Sequence, residues 1–485
     1  MSKLKQALNE GRFVYVLEVV PQQSPSRLAA LEKIVQRGHL AGWPLLPAFA
    51  DRVGLHSDLS PLEGAGALAD PASSLLHFSG KDRERADLLF QIESMKARGL
   101  EQLLLLSGDR LPGHHPDQAP VHYLESVPAL QIAREHCPDW LLGAALNPFK
   151  YREEEGGAQY LKAQKKLLAG ADFFTLQLGF DAAKHIEAQT WMRAQERMKP
   201  MLACVMNLTD KRAAVLQAVP GIVITESMRE LLGREQQVSL AYASARSLER
   251  LALQIVGLQL MGYAGAHVSG VHTLDELLSL EQAITEQQDN SITSLTDWVE
   301  RWHASWRMPG APQVCFAPET GAWEMGQSDV TATRRERLRY TLLSTVHGQL
   351  FSRTGWLSRA FGWSVTRPIW KVGVAANALH AVERTVKRPL VGCDTCGRCR
   401  LQDTLYVCPE TCPKGLANGP CGGTRLNRCE FSDRECVHSV KYRIAKSANQ
   451  LPVLAQTLIP CIEAGSRHRS SWPEWFEPED STPGC

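Results

Sequence analysis

The chain has 485 residues, of which 44% are hydrophobic and 22% are charged. These proportions are typical of globular proteins, and they exclude a disordered solvating chain and a fibrous repeat. Lysine and arginine number 53 against 52 aspartate and glutamate, so the formal net charge of +1 gives the whole molecule no field that attracts polyanions. We therefore expect neither nucleic acid nor a membrane among its partners, and two or three domains at this length.

The amino-terminal stretch and one long uncharged run bear on localisation. Asn9, Glu10, Arg12 and Glu18 interrupt the apolar core that a secretory signal would need, so we expect a cytoplasmic protein. The longest uncharged run, residues 251–274, contains glutamines, histidines and glycines. It is predicted to be a buried helix followed by a strand, not a membrane span.

Eight short apolar runs alternate with amphipathic stretches over the first part of the chain. Uninterrupted apolar runs are typical of strands buried on both faces, and the repeated strand–helix order predicts an α/β protein with a (β/α)₈ TIM barrel over residues 1–288. The runs begin at Phe13, Trp43, Ser73, Glu101, Trp140, Ala171, Pro200 and Ala264.

Polar residues follow several of these runs, at the barrel edge where chemistry is expected. A different interpretation of each residue is that it only caps the helix that follows. The residues are Asp51, Asp82, Asp109, Asn147 and Asp181.

Residues 289–390 are rich in tryptophan and arginine and predict a basic, helical connecting region. Residues 334–388 hold eleven Lys/Arg and two Glu, a net charge of +9, which leaves −8 for the remainder of the chain. This segment is expected to face either the acidic barrel or an acidic partner. The other interpretation is a solvated basic helix face with Trp356, Trp363 and Trp370 as its core. Residues 471–485 are expected to form a loose tail.

A cysteine cluster predicts a small, loop-rich metal domain over residues 391–470. Close C-x2-C pairs let two thiolates converge on one metal, and eight thiolates suit two four-ligand sites. Two [4Fe–4S] clusters are favoured by the leading triplet and the Cys-Pro steps, with zinc as the alternative. The spacing does not divide the cysteines between the sites, and the other five cysteines (137, 204, 315, 461, 485) are expected to be ordinary thiols. The predicted ligands are Cys393, Cys396, Cys399, Cys408, Cys412, Cys421, Cys429 and Cys436.

The barrel motifs together resemble the methylenetetrahydrofolate reductase family. The motifs are Leu-Glu-Val-Val-Pro from residue 17, His-Phe-Ser-x-x-Asp from residue 77, Ser-Gly-Asp from residue 107, a Lys-x-x-x-Gly-Ala from residue 166 and Gln-Leu-Gly-Phe-Asp from residue 177. The stretch CPETCPKGLANGPCGG, residues 408–423, is similar to the cysteine-rich domain fused to or partnered with such reductases in some bacteria.

The resemblance implies a flavoenzyme that interconverts 5,10-methylenetetrahydrofolate and 5-methyltetrahydrofolate, with FAD at the barrel mouth. Glu18 would be the general acid, Asp109 would lie beside flavin and pterin, and Gln177 would bind the folate. The electron donor would be NAD(P)H or a ferredoxin-like protein, and the cluster domain would transfer electrons or dock a partner. The direction of flux and the oligomeric state stay open. The residues expected to line the cofactor are His77, Ser79, Asp82, Ser107, Gly108 and Lys166.

Three positions depart from the family pattern. Ser107 stands where an arginine is usual, Lys150 lies in a stretch where the family often has Tyr and His, and Gln159 replaces an acidic flavin contact. A second hypothesis is therefore a folate-binding barrel without flavin, joined to a zinc-stapled interaction domain. No G-x-G-x-x-G follows the first strand, so a Rossmann nicotinamide domain is not expected.

Overall fold

The computed structural model describes residues 2–51, 58–110, 123–289, 292, 294–317, 328–352, 355–431 and 434–476. Eight parallel strands close into a barrel, because β1 pairs with both β3 and β9. The predicted TIM barrel is thus confirmed, and each barrel strand begins within two residues of its predicted run. The short β2 adds an antiparallel edge to β3. The strands are β1 (Val14–Val19), β2 (His39–Leu40), β3 (Trp43–Phe49), β4 (Leu75–Ser79), β5 (Gln102–Leu106), β6 (Leu141–Leu146), β7 (Phe173–Leu176), β8 (Met201–Met206) and β9 (Gly265–Ser269).

Helices surround the barrel and close its amino-terminal end. The helix α1 packs Leu4 and Ala7 against inward-facing residues such as Val14 and Leu46, so the bottom of the barrel is an apolar plug. The helices of this part are α1 (Lys3–Asn9), α2 (Pro25–Arg37), α3 (Pro61–Gly66), α4 (Arg85–Lys96), α5 (Ser126–His136), α6 (Glu153–Leu168), α7 (Ala182–Arg193), α8 (Asp210–Leu216), α9 (Glu226–Val238), α10 (Leu240–Met261) and α11 (Leu274–Asp289), with a 3₁₀ turn at Pro71–Ser73.

The run 251–274 forms the end of α10, then β9, as predicted. None of the described helices is long and apolar enough to cross a membrane.

The helix α12 (Leu295–Ser305) packs on the outside of the barrel. Trp298 and Trp302 stack with ring centroids 5.8 Å apart, and the Trp298 indole donates to the Leu253 carbonyl of α10 at 2.7 Å. A Cβ at Gly257 would come within 2.0 Å of Trp298, so the glycine makes this close approach possible. The structure therefore places α12 in the packing of the barrel, while the boundary at residue 288 stays a prediction.

The remaining helices form the carboxyl-terminal part. They are α13 (Arg334–Leu350), α14 (Trp356–Val365), α15 (Gly373–Val391), α16 (Val437–Ser447), α17 (Leu451–Gln456) and α18 (Trp472–Phe476), with 3₁₀ turns at Pro368–Trp370, Pro409–Thr411 and Ala464–Ser466. The cysteines lie in the loops between α15 and α16. The interpretation of three tryptophans as a core is wrong for Trp356 and Trp363, which are 76% and 67% exposed.

The carboxyl-terminal part docks on α6, the helix that follows β6. The Tyr442 hydroxyl on α16 donates to Glu153 at 2.8 Å, and Lys446 pairs with the same carboxylate at 2.6 Å. A Cβ at Gly157 would meet the Tyr442 ring at 2.3 Å, so this glycine allows α16 to lie against α6. The two parts of the chain therefore share a buried, polar interface.

Candidate functional site

Polar residues line the inner face of the barrel toward the carboxyl ends of its strands. Side chains alternate along a strand, so residues two positions beyond the inward-facing Val16, Leu75, Phe173 and Leu202 also face inward. This parity places Glu18, His77, Thr175 and Cys204 inside, followed by Ser79 and Gln177 toward the mouth. The same reasoning applied to β9 puts His267 and Ser269 inside, although sequence reasoning missed both.

Glu18 is the acidic residue of this inner face. It lies on β1, and its Oε2 accepts a hydrogen bond from the Ser269 hydroxyl on the neighbouring β9. The side chain is only partly buried. A hydrogen bond to one carboxylate oxygen fixes the orientation of the group, so its other oxygen is directed consistently.

His77 and His267 form a pair on the same inner face as Glu18. Their rings lie edge to face with centroids 5.6 Å apart, and the two residues are 5% and 2% exposed. Burial, and to a smaller extent the nearby His267, lower the pKa of His77 to about 3. Burial also lowers the pKa of His267, opposed by Glu18. Among the described residues, Nε2 of His77 and both ring nitrogens of His267 have no hydrogen-bond partner, so two neutral imidazoles face the interior with unused polar atoms.

The predicted cofactor residues on β4 and β5 are held by other protein groups. The Ser79 backbone N–H donates to Asp51 at 2.8 Å, and the Ser107 hydroxyl accepts from the Ser126 N–H at 3.1 Å at the start of α5. Asp82 is exposed, with a backbone φ of 52°. Asp51 and Ser107 thus have structural partners.

Gly108 brings the loop after β5 close to β4. Its φ is +83°, and a Cβ there would lie 2.3 Å from the Ser79 hydroxyl, so only glycine fits. Its carbonyl accepts from the Lys414 ammonium at 2.8 Å. A residue of the cysteine-rich domain therefore holds the loop that carries Gly108.

Lys166 and Gln177 are separated in the structure. The Lys166 ammonium on α6 donates to the Ala145 carbonyl of β6 at 2.5 Å, and burial lowers the pKa of this lysine to about 7. Gln177 follows β7, and its Oε1 accepts from the Leu178 N–H at 2.9 Å. The structure thus places four predicted site residues on the inner face of the barrel: Glu18, His77, Ser79 and Gln177. Lys166 instead binds a backbone carbonyl of β6.

Asp109 belongs to a charged cluster between barrel and cysteine-rich domain. Loss of solvation near the surrounding protein atoms raises the pKa of the Asp109 carboxyl. The cations Lys414 and Lys81 lower this pKa, and the nearby Glu430 raises it. Lys414 pairs with Glu430 at 2.6 Å, and Glu430 also accepts from the Arg110 N–H at 2.6 Å. The predicted catalytic role of Asp109 stays a prediction.

Two of the three departures from the family pattern contact the cysteine-rich domain. The Lys150 ammonium donates to the carbonyls of Gly422, at 2.8 Å, and Thr424. The Gln159 amide donates to the Cys421 carbonyl at 2.7 Å. These two side chains bind the cysteine-rich domain. Their departure from the family pattern marked them as unusual but did not indicate this role.

A buried ion pair continues this interface along α6. Lys162 pairs with Glu125 at 2.7 Å and donates to the carbonyls of Gly419 and Pro420, both at 3.1 Å. A Cβ at Gly419 would lie 2.7 Å from Lys162. The segment 419–424 therefore covers α6 and the loop after β6 at close range.

Two strand-end residues that sequence analysis singled out also have structural partners. Asn147 donates to the carbonyls of Gly221 and Gly422 at 2.9 and 2.8 Å. Asp181 caps α7 by accepting from the Ala183 N–H at 3.0 Å, so the capping interpretation is right for this residue.

The eight predicted ligands separate into two neighbourhoods. Cys408 lies within electrostatic reach of Cys393 and Cys396, which in turn neighbours Cys399. Cys436 lies within reach of Cys412 and Cys421. The backbone bridge between residues 428 and 435 brings Cys429 toward Cys436. We call these the first and second cysteine groups.

The surroundings of the cysteines fit metal-bound thiolates. The Thr395 N–H donates to the Cys393 sulfur at 3.4 Å, and the Lys387 ammonium lies 3.5 Å from the Cys399 sulfur. Backbone N–H groups also approach Cys412 and Cys421, whose pKa values burial raises. Such N–H···S contacts and cations stabilise thiolates. As the described side chains stand, no three His, Cys, Asp or Glu converge closely enough to hold a metal ion, so the ligand set stays a prediction.

Fold and site together define a (β/α)₈-barrel protein with a polar interior mouth, capped on one side by a cysteine-rich domain. Residues 3–233 match the family model described as "Methylenetetrahydrofolate reductase", and residues 374–464 match "Methylene-tetrahydrofolate reductase C terminal". Residues 3–233 thus form a methylenetetrahydrofolate reductase family domain, and the chain also carries that family's carboxyl-terminal domain, as the motifs predicted.

Individual proteins resemble the chain more distantly. A "Probable methylenetetrahydrofolate reductase (NADPH)" of Caenorhabditis elegans is 27% identical over 195 residues, which cover 37% of this chain and 28% of that relative's length. A structure from Clostridium thermocellum, an uncharacterized protein described as binding two copies of 5-methyl-5,6,7,8-tetrahydrofolic acid, has a TM-score of 0.44 at 13% identity, covering 60% of this chain and all of that one. Oxaloacetate acetylhydrolase in complex with 3,3-difluorooxalacetate has a TM-score of 0.32 at 13% identity, covering 63% of this chain and 92% of that one.

Proposed function

We propose that the barrel binds a reduced folate and interconverts its 5,10-methylene and 5-methyl forms. The observation that carries the proposal is the polar inner face, where Glu18, His77, His267 and Gln177 gather in a barrel that belongs to the methylenetetrahydrofolate reductase family. A pterin offers many hydrogen-bonding atoms, and the unpartnered imidazole nitrogens and the Gln177 amide are suited to bind them.

Glu18 supplies the proton in this proposal. Protonation of N10 of methylenetetrahydrofolate by the Glu18 carboxyl breaks the bond between N10 and the bridging carbon, and the electron pair of that bond stays on N10. The product is an N5-iminium cation. Ser269 holds the carboxyl in place through its hydrogen bond to Oε2. The two buried histidines stay neutral, so they add no positive charge that would oppose the cation.

The described residues do not fit the flavin that the resemblance implies. Among the predicted cofactor positions, the Gly108 carbonyl takes Lys414, the Ser107 hydroxyl caps α5 and the Lys166 ammonium binds Ala145. Gln159, in place of the family's acidic flavin contact, binds the Cys421 carbonyl. Segment 419–424 thus covers Gln159, while Ser107, Gly108 and Lys166 are bound by other protein groups.

The hydride then comes directly from a reduced nicotinamide. It passes from C4 of NAD(P)H to the iminium carbon, which becomes the 5-methyl group, while NAD(P)⁺ leaves and solvent returns a proton to Glu18. One proton and one hydride are consumed per folate, so the reaction balances without another redox group. The curated relative's name, which includes NADPH, supports this donor.

The cysteine-rich domain holds metal in this proposal. Its two cysteine groups would bind either two zinc ions or two [4Fe–4S] clusters through four thiolates each. The second group lies against Lys414, whose ammonium contacts the mouth at Gly108. Metal binding would therefore stabilise the loop that positions Asp109.

The deuterium label of [4-²H]NADPH tests the reaction and its donor together. The full-length protein, purified without oxygen and without added flavin, is incubated with methylenetetrahydrofolate and the labelled donor, and the product is examined by mass spectrometry. Direct transfer retains the deuterium in the methyl group. Passage through a reduced flavin loses it, because the flavin N5–H exchanges with water.

Several outcomes would contradict the proposal. A flavin absorbance band in the purified protein together with loss of the label would restore the flavoenzyme hypothesis. If calorimetry detects no binding of methyltetrahydrofolate, or if Gln177→Ala leaves a weak binding signal unchanged, the barrel does not serve folate. Iron and acid-labile sulfide analysis of the same sample decides between clusters and zinc.

A further inference from the structure

The three helices α13 to α15 expose an unusual amount of apolar surface. Twelve of the 21 large hydrophobic residues that are exposed among the described residues lie between positions 338 and 390. The whole of α13 has no buried residue. Single exposed hydrophobic residues are normal, but a concentration of them in one segment marks a surface that another body covers. We call residues 334–391 the α13–α15 surface.

Several of the most exposed of these side chains lie around the turn between α14 and α15. Trp363, Ile369, Val372 and Val374 are 67%, 63%, 77% and 86% exposed, and Trp356 at the start of α14 is 76% exposed. The Arg367 guanidinium lies 3.8 Å from the centroid of the Trp363 ring. Aromatic, aliphatic and cationic groups therefore project from one short stretch of chain.

Positive charges dominate this surface. From residue 337 to residue 382 the sequence has six Lys/Arg and no Asp or Glu. The two flanking carboxylates turn inward: Glu383 is 2% exposed and binds Lys387 and Ser471, and Glu336 pairs with Arg443. The outward face is therefore apolar, and basic residues outnumber acidic ones in this part of the sequence.

The apolar and basic composition of the surface indicates which kind of partner covers it. A second copy of the chain would set one basic face against another, which like-charge repulsion opposes. An anionic bilayer offers phosphate groups for the cations and an interfacial zone that favours tryptophan, with hydrocarbon beneath for the aliphatic side chains.

We propose that the α13–α15 surface docks the protein on an anionic phospholipid bilayer. Trp356, Trp363, Ile369, Val372 and Val374 enter the headgroup region, and Arg359, Arg367 and Lys371 contact lipid phosphates. The attachment is peripheral, in keeping with the finding that no described helix is able to span a membrane. This proposal is independent of the folate chemistry.

Vesicle sedimentation with the full-length protein tests the proposal. One set of vesicles is pure phosphatidylcholine, and the other contains 30 mol% phosphatidylglycerol. We expect the protein to sediment with the anionic vesicles only, with a blue shift of tryptophan fluorescence, and to be released as salt is raised. Arg367→Gln and Lys371→Gln should each weaken binding about fivefold.

A matched pair of variants distinguishes vesicle binding through this surface from nonspecific binding by any exposed aromatic residue. Trp356→Glu should abolish binding, whereas Phe90→Glu, which changes an equally exposed (76%) aromatic residue on α4 of the barrel, should leave it unchanged. Thermal melting checks that both variants fold.

Four results would overturn the proposal. The first is equal binding to both vesicle types, and the second is equal binding by the two Glu variants. The third is a protein that ignores vesicles while light scattering shows an oligomer that Trp356→Glu dissociates, which would assign the surface to a second copy. Saturation of the surface by an acidic ferredoxin without vesicle binding would assign it to a protein partner and equally reject the bilayer.

Discussion

At the scale of single residues, Glu18 combines a fixed position with partial access to the barrel mouth. Among the described residues of the inner face, its neighbours are neutral or apolar, so Glu18 is the acidic side chain that these residues offer to a folate. Its role in catalysis differs from a structural role in a measurable way, since Gln has the same shape but cannot donate the carboxyl proton.

We expect Glu18→Gln to lower turnover of methylenetetrahydrofolate by about 10²- to 10⁴-fold, the usual contribution of general acid catalysis. Affinity for methyltetrahydrofolate and the melting temperature should stay close to the parent values. Steady-state kinetics, calorimetry and thermal melting make the measurements. Glu101→Gln, an exposed residue just before β5 at the opposite end of the barrel, is the matched control. A Glu18→Gln variant with more than a tenth of the parent activity would refute the proton-donor role.

His77 makes stability depend on pH. Its pKa is about 3 in the folded protein but near 6.5 when unfolded, because burial disfavours the charged ring. Between these values the unfolded chain binds the extra proton, so the free energy of unfolding falls as pH falls through this window.

The contribution of one such histidine to this slope is at most about 1.4 kcal/mol per pH unit. We expect His77→Gln to flatten the acid side of the stability curve between pH 6 and pH 4, measured by urea unfolding. The exposed His303 on α12, changed to Gln, serves as control. An unchanged slope in the His77 variant would show that this imidazole does take up a proton in the folded state.

At the scale of elements, one carboxylate joins α5, α6 and the cysteine-rich domain. Glu125 precedes α5, accepts from the backbone N–H groups of Ala417 and Asn418, both at 3.0 Å, and pairs with Lys162 of α6. Burial alone would raise the pKa of Glu125, but Lys162 and these N–H donors outweigh it and hold the pKa at about 2. The interface therefore depends on an ionised carboxylate.

Glu125→Gln should destabilise the protein by about 3–5 kcal/mol, because it leaves the buried Lys162 without its counter-charge. Glu93→Gln, which breaks an exposed pair with Lys96, should cost about 0–1 kcal/mol. Chemical denaturation measures both values, and limited proteolysis reports whether the cysteine-rich domain is released. In the parent, the stability that Glu125 contributes should be lost as pH falls from about 4.5 toward 2. Equal costs for the two variants would show that the buried pair does not hold the interface.

At the scale of the whole molecule, we expect the cysteine-rich domain to depend on metal more than on a core. Its loops between α15 and α16 contain a single 3₁₀ turn and few large apolar side chains. Small units of this kind fold through their metal ligands.

We expect Cys421→Ser to lower metal content and make the chain after residue 392 sensitive to protease, while the barrel stays resistant. Elemental analysis and mass spectrometry of the fragments provide the measurements. Cys315→Ser, at an exposed thiol outside both cysteine groups, should change neither. Full metal content and full protease resistance in Cys421→Ser would remove this residue from the ligand set.

Much of the architecture follows from the sequence alone. The eight strands could be predicted because a strand covered by helices outside and packed side chains inside needs an uninterrupted apolar run, and such runs are local. The family resemblance singled out Glu18 and His77. Alternation along β1, β4 and β9 would have placed these two residues, with His267 and Ser269, on a common inner face.

Only the tertiary structure decided how the two parts of the chain meet. Lys150 and Gln159 bind carbonyls more than 250 residues further along the chain, and backbone carbonyls leave no trace in residue identity. The separation of the cysteines into two groups likewise depends on loop paths that spacing does not determine. The sequence also could not predict that Trp356 and Trp363 are exposed, because residue identity does not distinguish a tryptophan in a core from one on a surface. A net charge of +1 averages an acidic barrel with a basic helical face, and only folding separates the two in space.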